Sequence, residues 1–236
     1  MKRFYKEASA ASVQDGHRIL LDGRPLRTPA KQTLLVPSGD LAAAIAAEWE
    51  AQGETIEPAT MPLTRLASTA FDRMPAARAA VIEEVAGYLG TDLLCYRAAA
   101  PIELVERQRD RWQPLLDWAE EVYGTRLVVT TSVLPAAQPE AAIQGLRAVV
   151  EAFADWPLVG IHAATTTLGS VILALALWRG RLDAEAGWRL SLLEEWFEQE
   201  RWGRDQEADQ RQEILRRDVE AAALFLASFS KPSSSG

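Results

Sequence analysis

The sequence is poor in the residues that usually carry chemistry. It has one cysteine, Cys95, and two histidines, His17 and His162, in 236 residues. A single cysteine excludes an internal disulfide framework and a cysteine-rich zinc site, and it suits a reducing compartment. Two histidines, one expected at an exposed turn and one at the start of a core helix, make a poor histidine metal site. No H-E-x-x-H, G-x-S-x-G, G-x-G-x-x-G or phosphate-loop pattern is present. No apolar segment follows Met1-Lys2-Arg3-Phe4-Tyr5-Lys6, so no signal peptide is expected. We find no internal repeat.

One long run lacks charge. Leu158 to Trp178 has 21 residues without Asp, Glu, Lys or Arg, long enough to span a bilayer. His162, Thr165, Thr166, Thr167 and Ser170 interrupt it, and Gly160 is a potential break. We read it as a buried core helix from about Thr165 to Trp178, with no membrane insertion.

Hydrophobic residues make up 48% of the chain, enough for a real core. The net charge of −8 argues against a nucleic-acid partner. Charge is uneven. Residues 1–37 hold seven Lys/Arg against three Asp/Glu, and residues 183–220 hold twelve acids against six Arg. An acidic face of this kind either is simply solvated or steers a partner with basic patches.

Residues 1–37 read as β. Arg18-Ile19-Leu20-Leu21 and Thr33-Leu34-Leu35-Val36 are short apolar runs, with Asp15-Gly16 and Asp22-Gly23 as turns. Three prolines, Pro25, Pro29 and Pro37, favour a twisted, edge-rich sheet. Ser38 is a good N-cap for a helix with Leu41, Ile45 and Trp49 on one face, closed by Gly53. Pro58 and Pro62 punctuate an extended link, Glu54 to Pro62, into the phrase Pro58 to Arg73, the expected joint between domains. Helices follow from Pro75 (Val81, Val85, Leu89 inward), from about Ile102 to Tyr123 with a kink or restart at Pro114, and from Pro139. Residues 126–134 have β character. One helix is expected from Asp183 or Ala184 to Trp202, and a last one over about Asp205 to Phe229. The fold class is therefore α+β. A small N-terminal α/β domain with a twisted antiparallel sheet covers 1–62, a larger all-helical domain covers 63–230, and 231–236 form a loose tail.

Cys95, between Leu94 and Tyr96, reads as a packed rather than a reactive thiol. Asp92 reads as a cap or as the partner of Arg65 or Arg73. The acids of Glu194 to Glu207 suit a solvated or partner-facing helix, with Glu194 and Glu198 mildly repelling at i, i+4.

Several phrases in order resemble the ATP12 chaperones, assembly factors for the F1 part of ATP synthase. They are Arg3-Phe4-Tyr5-Lys6, Leu21-Asp22-Gly23-Arg24-Pro25, Thr28-Pro29, Ala47-Glu48-Trp49 with Gln52-Gly53, and Met61 to Leu66. Thr91 to Arg97, Gln108 with Trp112 to Trp118, Leu168-Gly169-Ser170 and Trp202-Gly203 complete the set. The resemblance implies a non-enzymatic, cofactor-free protein. It would bind the unassembled F1 α subunit and shield its β-facing surface. It further implies a bacterial form, cytoplasmic and monomeric when free. By the same resemblance, Trp49, Asp92, Glu195, Trp202, Gly203 and Glu207 are candidates for partner binding. Trp49 also reads as a core anchor, and Glu195 and Glu207 are the strongest contact candidates because the acidic helix looks uncompensated. Where the family commonly has Gln, Glu198 adds charge. The rival readings are a carboxylate-dependent hydrolase, which needs two acids converging in a closed pocket, and an interaction module for another client.

Overall fold

The computed structural model describes residues 1–132, 134, 136–203 and 206–229. The expected α+β architecture is present, and the chain divides into two compact units. The first holds Met1–Arg78 with 154–160 and the end of the chain from 224; the second holds Ala79–Phe153 and Ile161–Ala223.

In the first unit, β1 (Ala8–Val13) and β2 (Gly16–Leu21) form an antiparallel hairpin whose loop is Gln14 and Asp15. Asp22 and Gly23, at φ 47° and 75°, turn β2 into β3 (Arg24–Pro25), as hairpin turns with two left-handed residues do. β4 (Leu35–Val36) pairs with the other end of β2. Ile19 and Leu21 alternate inward along β2 and meet α1 (Gly39–Glu50). Leu41, Ile45 and Trp49 form the buried stripe of α1, and the Ser38 hydroxyl accepts from Leu41 N, as the sequence implied. The helix ends at Glu50, before Gly53 is reached.

The link Glu54 to Pro62 is not extended throughout. Pro58–Thr60 make a 3-10 turn, and Pro62–Asp72 form α2, which packs on α1 and β4 within this unit. α3 (Met74–Tyr88) follows, with Ile82, Val85 and Leu89 buried rather than Val81. Segments 154–160 and 224–229 add an aromatic cluster to this unit: Trp156 stacks on Phe225 at 6.1 Å, and Phe229 lies against both.

The second unit is helical. α4 (Ile102–Tyr123) runs through Pro114 without restarting and ends on Gly124 in the left-handed conformation. Residues 126–132 make one parallel bridge, Tyr96 to Thr130, and no strand. Pro139 precedes α5 (Glu140–Glu151).

The uncharged run folds as two helices, α6 (Asp155–Leu168) and α7 (Val171–Trp178). The break is at Gly169, whose φ of +67° suits glycine, and not at Gly160. Val171 to Leu177 are all buried, so α7 is a core helix. No described helix is long and apolar enough to cross a membrane.

The single helix expected over 183–202 is also two. α8 (Ala184–Ser191), capped by Asp183, gives way at Leu192 to α9 (Leu193–Trp202). α10 (Gln206–Ala227) closes the described chain, with Val219, Ala222 and Leu226 on its buried face. The tail expected at 231–236 lies outside the described residues.

Candidate functional site

The phrases singled out in the sequence are joined by side chains that bond across the fold. In the first unit, Glu48 accepts from Leu63 N at 2.6 Å, Thr64 N at 2.8 Å and the Thr64 hydroxyl at 2.7 Å. It thereby caps α2, whose own N-cap residue Met61 makes no side-chain bond. Burial pushes its carboxyl above the ordinary glutamate value, and the three donors pull it back. Gln52 is buried; it accepts from Glu57 N and donates to the Thr60 hydroxyl, which fixes the 3-10 turn. Trp49 is 9% exposed, and its carbonyl accepts from the Tyr5 hydroxyl at 2.6 Å. The core-anchor reading of Trp49 fits this position. The residue also lines a cleft beside α2.

Asp92 is wholly buried in the second unit and caps the 3-10 turn Leu93–Cys95. Oδ1 accepts from Leu94 N at 3.1 Å and from the Ser170 hydroxyl at 2.8 Å, and Oδ2 accepts from Ile172 N at 3.2 Å. The cap reading is correct and the arginine pairing is not, because a hydroxyl and backbone amides occupy its oxygens. Burial pushes its carboxyl up to about 6 against the opposing pull of those donors. Burial, aided by the neighbouring Asp92, pushes the Cys95 thiol up to about 12, so it is a protonated packing residue.

α9 holds most of the acidic run, and its charge is more compensated than the sequence suggests. Arg107 on α4 forks onto both Glu200 oxygens at 2.9 and 2.8 Å. Arg211 on α10 donates to Glu195 at 2.7 Å, with Gln212 on the same oxygen at 3.2 Å. Arg201 reaches Glu103 at 3.5 Å. Arg107 and Arg211 come from flanking helices and balance carboxylates that looked bare, while Arg201 ties α9 itself to α4. Each pair is exposed and contributes under about 1 kcal/mol. Glu198 is exposed and has no ion-pair partner among the described residues. The buried Gln108 bonds to Glu194 and also accepts from Ala98 N at 2.8 Å. Burial raises the Glu194 carboxyl, and Glu198 raises it further, as the i, i+4 spacing implied.

Glu195 borders a cleft of about 280 Å3 with Leu93, Leu168, Gly169, Leu192 and Arg211. The chain then presents its most exposed aromatic. Trp202, at the last position of α9, is 85% exposed. Gly203 ends the helix at φ +93° and donates to Gln199 O at 3.0 Å. Glu207 follows, exposed, in the first turn of α10. Four of the six candidates, Glu195, Trp202, Gly203 and Glu207, thus lie on α9 and the start of α10. Asp92 is a buried structural cap, and Trp49 belongs to the first unit. The sequence reading assigned no bonding role to Glu48 or Ser170, whose partners Thr64 and Asp92 are 16 and 78 positions away, nor to Gln52, whose partners lie across the 3-10 turn.

Solved structures share this architecture. Atp12 of Paracoccus denitrificans is 40% identical, with a TM-score of 0.88, over 96% of this chain and 97% of that one; an Asp-to-Lys mutant of the same protein matches equally. A protein of Agrobacterium tumefaciens is 42% identical, with a TM-score of 0.91, over 96% of this chain and 85% of that one. Mitochondrial protein atp12 of Schizosaccharomyces pombe is 26% identical over 95% of this chain and 81% of its own length. The family model described as ATP12 chaperone protein matches residues 2–120. With half its length matched by that model and nearly all of it by a solved Atp12, this chain belongs to the ATP12 chaperone family.

Proposed function

We propose that this chain, an ATP12-family chaperone of ATP synthase assembly, binds the unassembled F1 α subunit and shields its β-facing interface until the β subunit replaces it. The observation that supports this best is Trp202, an exposed indole beside an acidic helix. Tryptophan is among the residues most enriched at the energetic centres of interfaces. Glu195, Glu198 and Glu207 surround it in sequence. Their charge speeds encounter with a basic patch more than it sets affinity. Gly203 sets the turn that follows the indole. In this reading the chaperone needs no cofactor, acts in the cytoplasm as a monomer, and performs no catalysis. It lowers the free concentration of an aggregation-prone surface and yields when β competes for it.

Capture of purified F1 α by the immobilised chain tests the reading. Trp202→Ala should weaken capture by about tenfold, the loss typical of an interface anchor, with an unchanged melting temperature. Glu207→Lys should slow association and flatten its salt dependence. Undiminished capture by both variants would remove this region from the mechanism, and no capture by the parent chain would reject F1 α as client.

A further inference from the structure

A second surface has the features of a binding site. In the first unit a cleft of about 580 Å3 opens between α2 and the residues that follow β3. Its floor is apolar, formed by the buried side chains of Trp49, Ile56 and Met61. One wall is the stripe Thr64, Arg65 and Ser68 of α2, and the other is Arg27 to Pro29.

The polar lining is unbalanced. Two exposed arginines, Arg27 and Arg73, border the cleft with one acid, Asp72. Both Asp72 oxygens are already used: the Thr28 hydroxyl donates to one at 2.8 Å and Ala30 N to the other at 3.1 Å. Arg27 and Arg73 are exposed, and neither has an ion-pair partner among the described residues. The Ser68 hydroxyl has no hydrogen-bond partner among them either. On the floor, Trp49 Nε1 is a buried donor without an acceptor.

An apolar floor under the unpaired guanidiniums of Arg27 and Arg73 matches a ligand with an apolar group and a carboxylate side by side. Arginine meets carboxylate in a planar fork, with strong charge-assisted bonds. The cleft is large enough for several side chains and offers few directional groups, which fits an extended peptide. We propose that this cleft binds an extended segment of the client in which an acidic residue adjoins an apolar one. The client itself is the one assigned above, and on that point the inference rests on that reading. The cleft is then a second contact, built from the sheet-bearing unit and independent of Trp202.

Fluorescence anisotropy with labelled short peptides tests it without the client. One set alternates Glu with Leu, and a matched set carries Lys in place of each Glu. The acidic set should bind at least about tenfold tighter at low salt. The double variant Arg27→Glu, Arg73→Glu should abolish that preference, and Ser68→Phe, which fills the cleft from its wall, should weaken the acidic set by about tenfold. Thermal melting confirms the fold of each, and either variant alone decides the matter if the other unfolds. Equal affinity for the two sets, or parental affinity in a folded variant, overturns the proposal. So does displacement by free glutamate at concentrations comparable to the peptide's, which would indicate a small-anion site. A photo-crosslinker at Ser68 with full-length F1 α then reads the segment: adducts on an acidic, apolar stretch support the proposal, and adducts only elsewhere oppose it. If the parent chain captures no F1 α, the client assignment fails while the peptide result still stands.

Discussion

The Ser170 hydroxyl donates to Asp92 Oδ1 at 2.8 Å in a wholly buried site, across 78 positions of sequence. The same hydroxyl oxygen accepts from Leu173 N at 3.1 Å and so caps α7, while Asp92 Oδ2 accepts from Ile172 N. One pair thus begins both the 3-10 turn Leu93–Cys95 and the core helix. The carboxylate sits at the positive end of α7, where a helix favours it.

Ser170→Ala removes the bond to Asp92 and the cap of α7 together. It should cost about 2 kcal/mol, read as a lower urea midpoint with an unchanged slope. A cost within a few tenths would show that water replaces the hydroxyl.

Asp92 also sets a pH dependence. Its carboxyl stands at 3.8 when unfolded and is pushed up to about 6 in the fold. Between those values the folded chain holds a proton that the unfolded chain has released. The contribution is therefore fully present below 3.8 and is lost as pH rises through about 6. The total is on the order of 3 kcal/mol. Asp92→Asn should abolish this slope. The parent's unfolding free energy relative to the variant's, measured from about pH 4 to about pH 7, should fall as pH rises. A difference that stays flat would refute the assignment.

Glu48 is the cap of α2 supplied by α1. Glu48→Ala leaves Leu63 N and Thr64 N without their acceptor and should cost about 2 kcal/mol in chemical denaturation. Thr64→Val removes one of three bonds and should cost about half as much. The double variant should fall short of the sum, because the two share a bond. Full additivity would show that the Thr64 hydroxyl is stabilised by something other than Glu48.

Gly160 tests packing against propensity. Alanine is the better helix former by about 1 kcal/mol. A Cβ there would stand 2.6 Å from Leu226 Cδ2 and 2.8 Å from its Cγ. Overpacking of this kind costs about 1–3 kcal/mol, so Gly160→Ala should lower the melting temperature. A rise would mean that Leu226 shifts freely.

Local chemistry made much of this fold legible. Ser38 and Asp183 announced their helices because a cap and its amide are three residues apart. Asp22-Gly23 announced its turn because both residues accept a positive φ. The run Leu158 to Trp178 hid its break, because a segment apolar on every side has no periodicity to interrupt. Gly169 followed by the cap residue Ser170 was the cue, and Gly160 competed with it. The acidic helix looked bare since Arg107 and Arg211 lie far from Glu200 and Glu195 in sequence. The phrase around Pro62 stood out, but its cleft depends on Arg27 and Trp49, which only the fold sets beside it.

The cluster of Trp156, Phe225 and Phe229 has a consequence for synthesis. The sheet, α1 and α2 are complete once Arg78 has been made, yet the unit they belong to also draws in 154–160 and 224–229. A chain emerging from the ribosome presents its first residues long before Phe225 exists. The N-terminal unit therefore waits through most of translation with a face uncovered, and closes only when the last described helix is released.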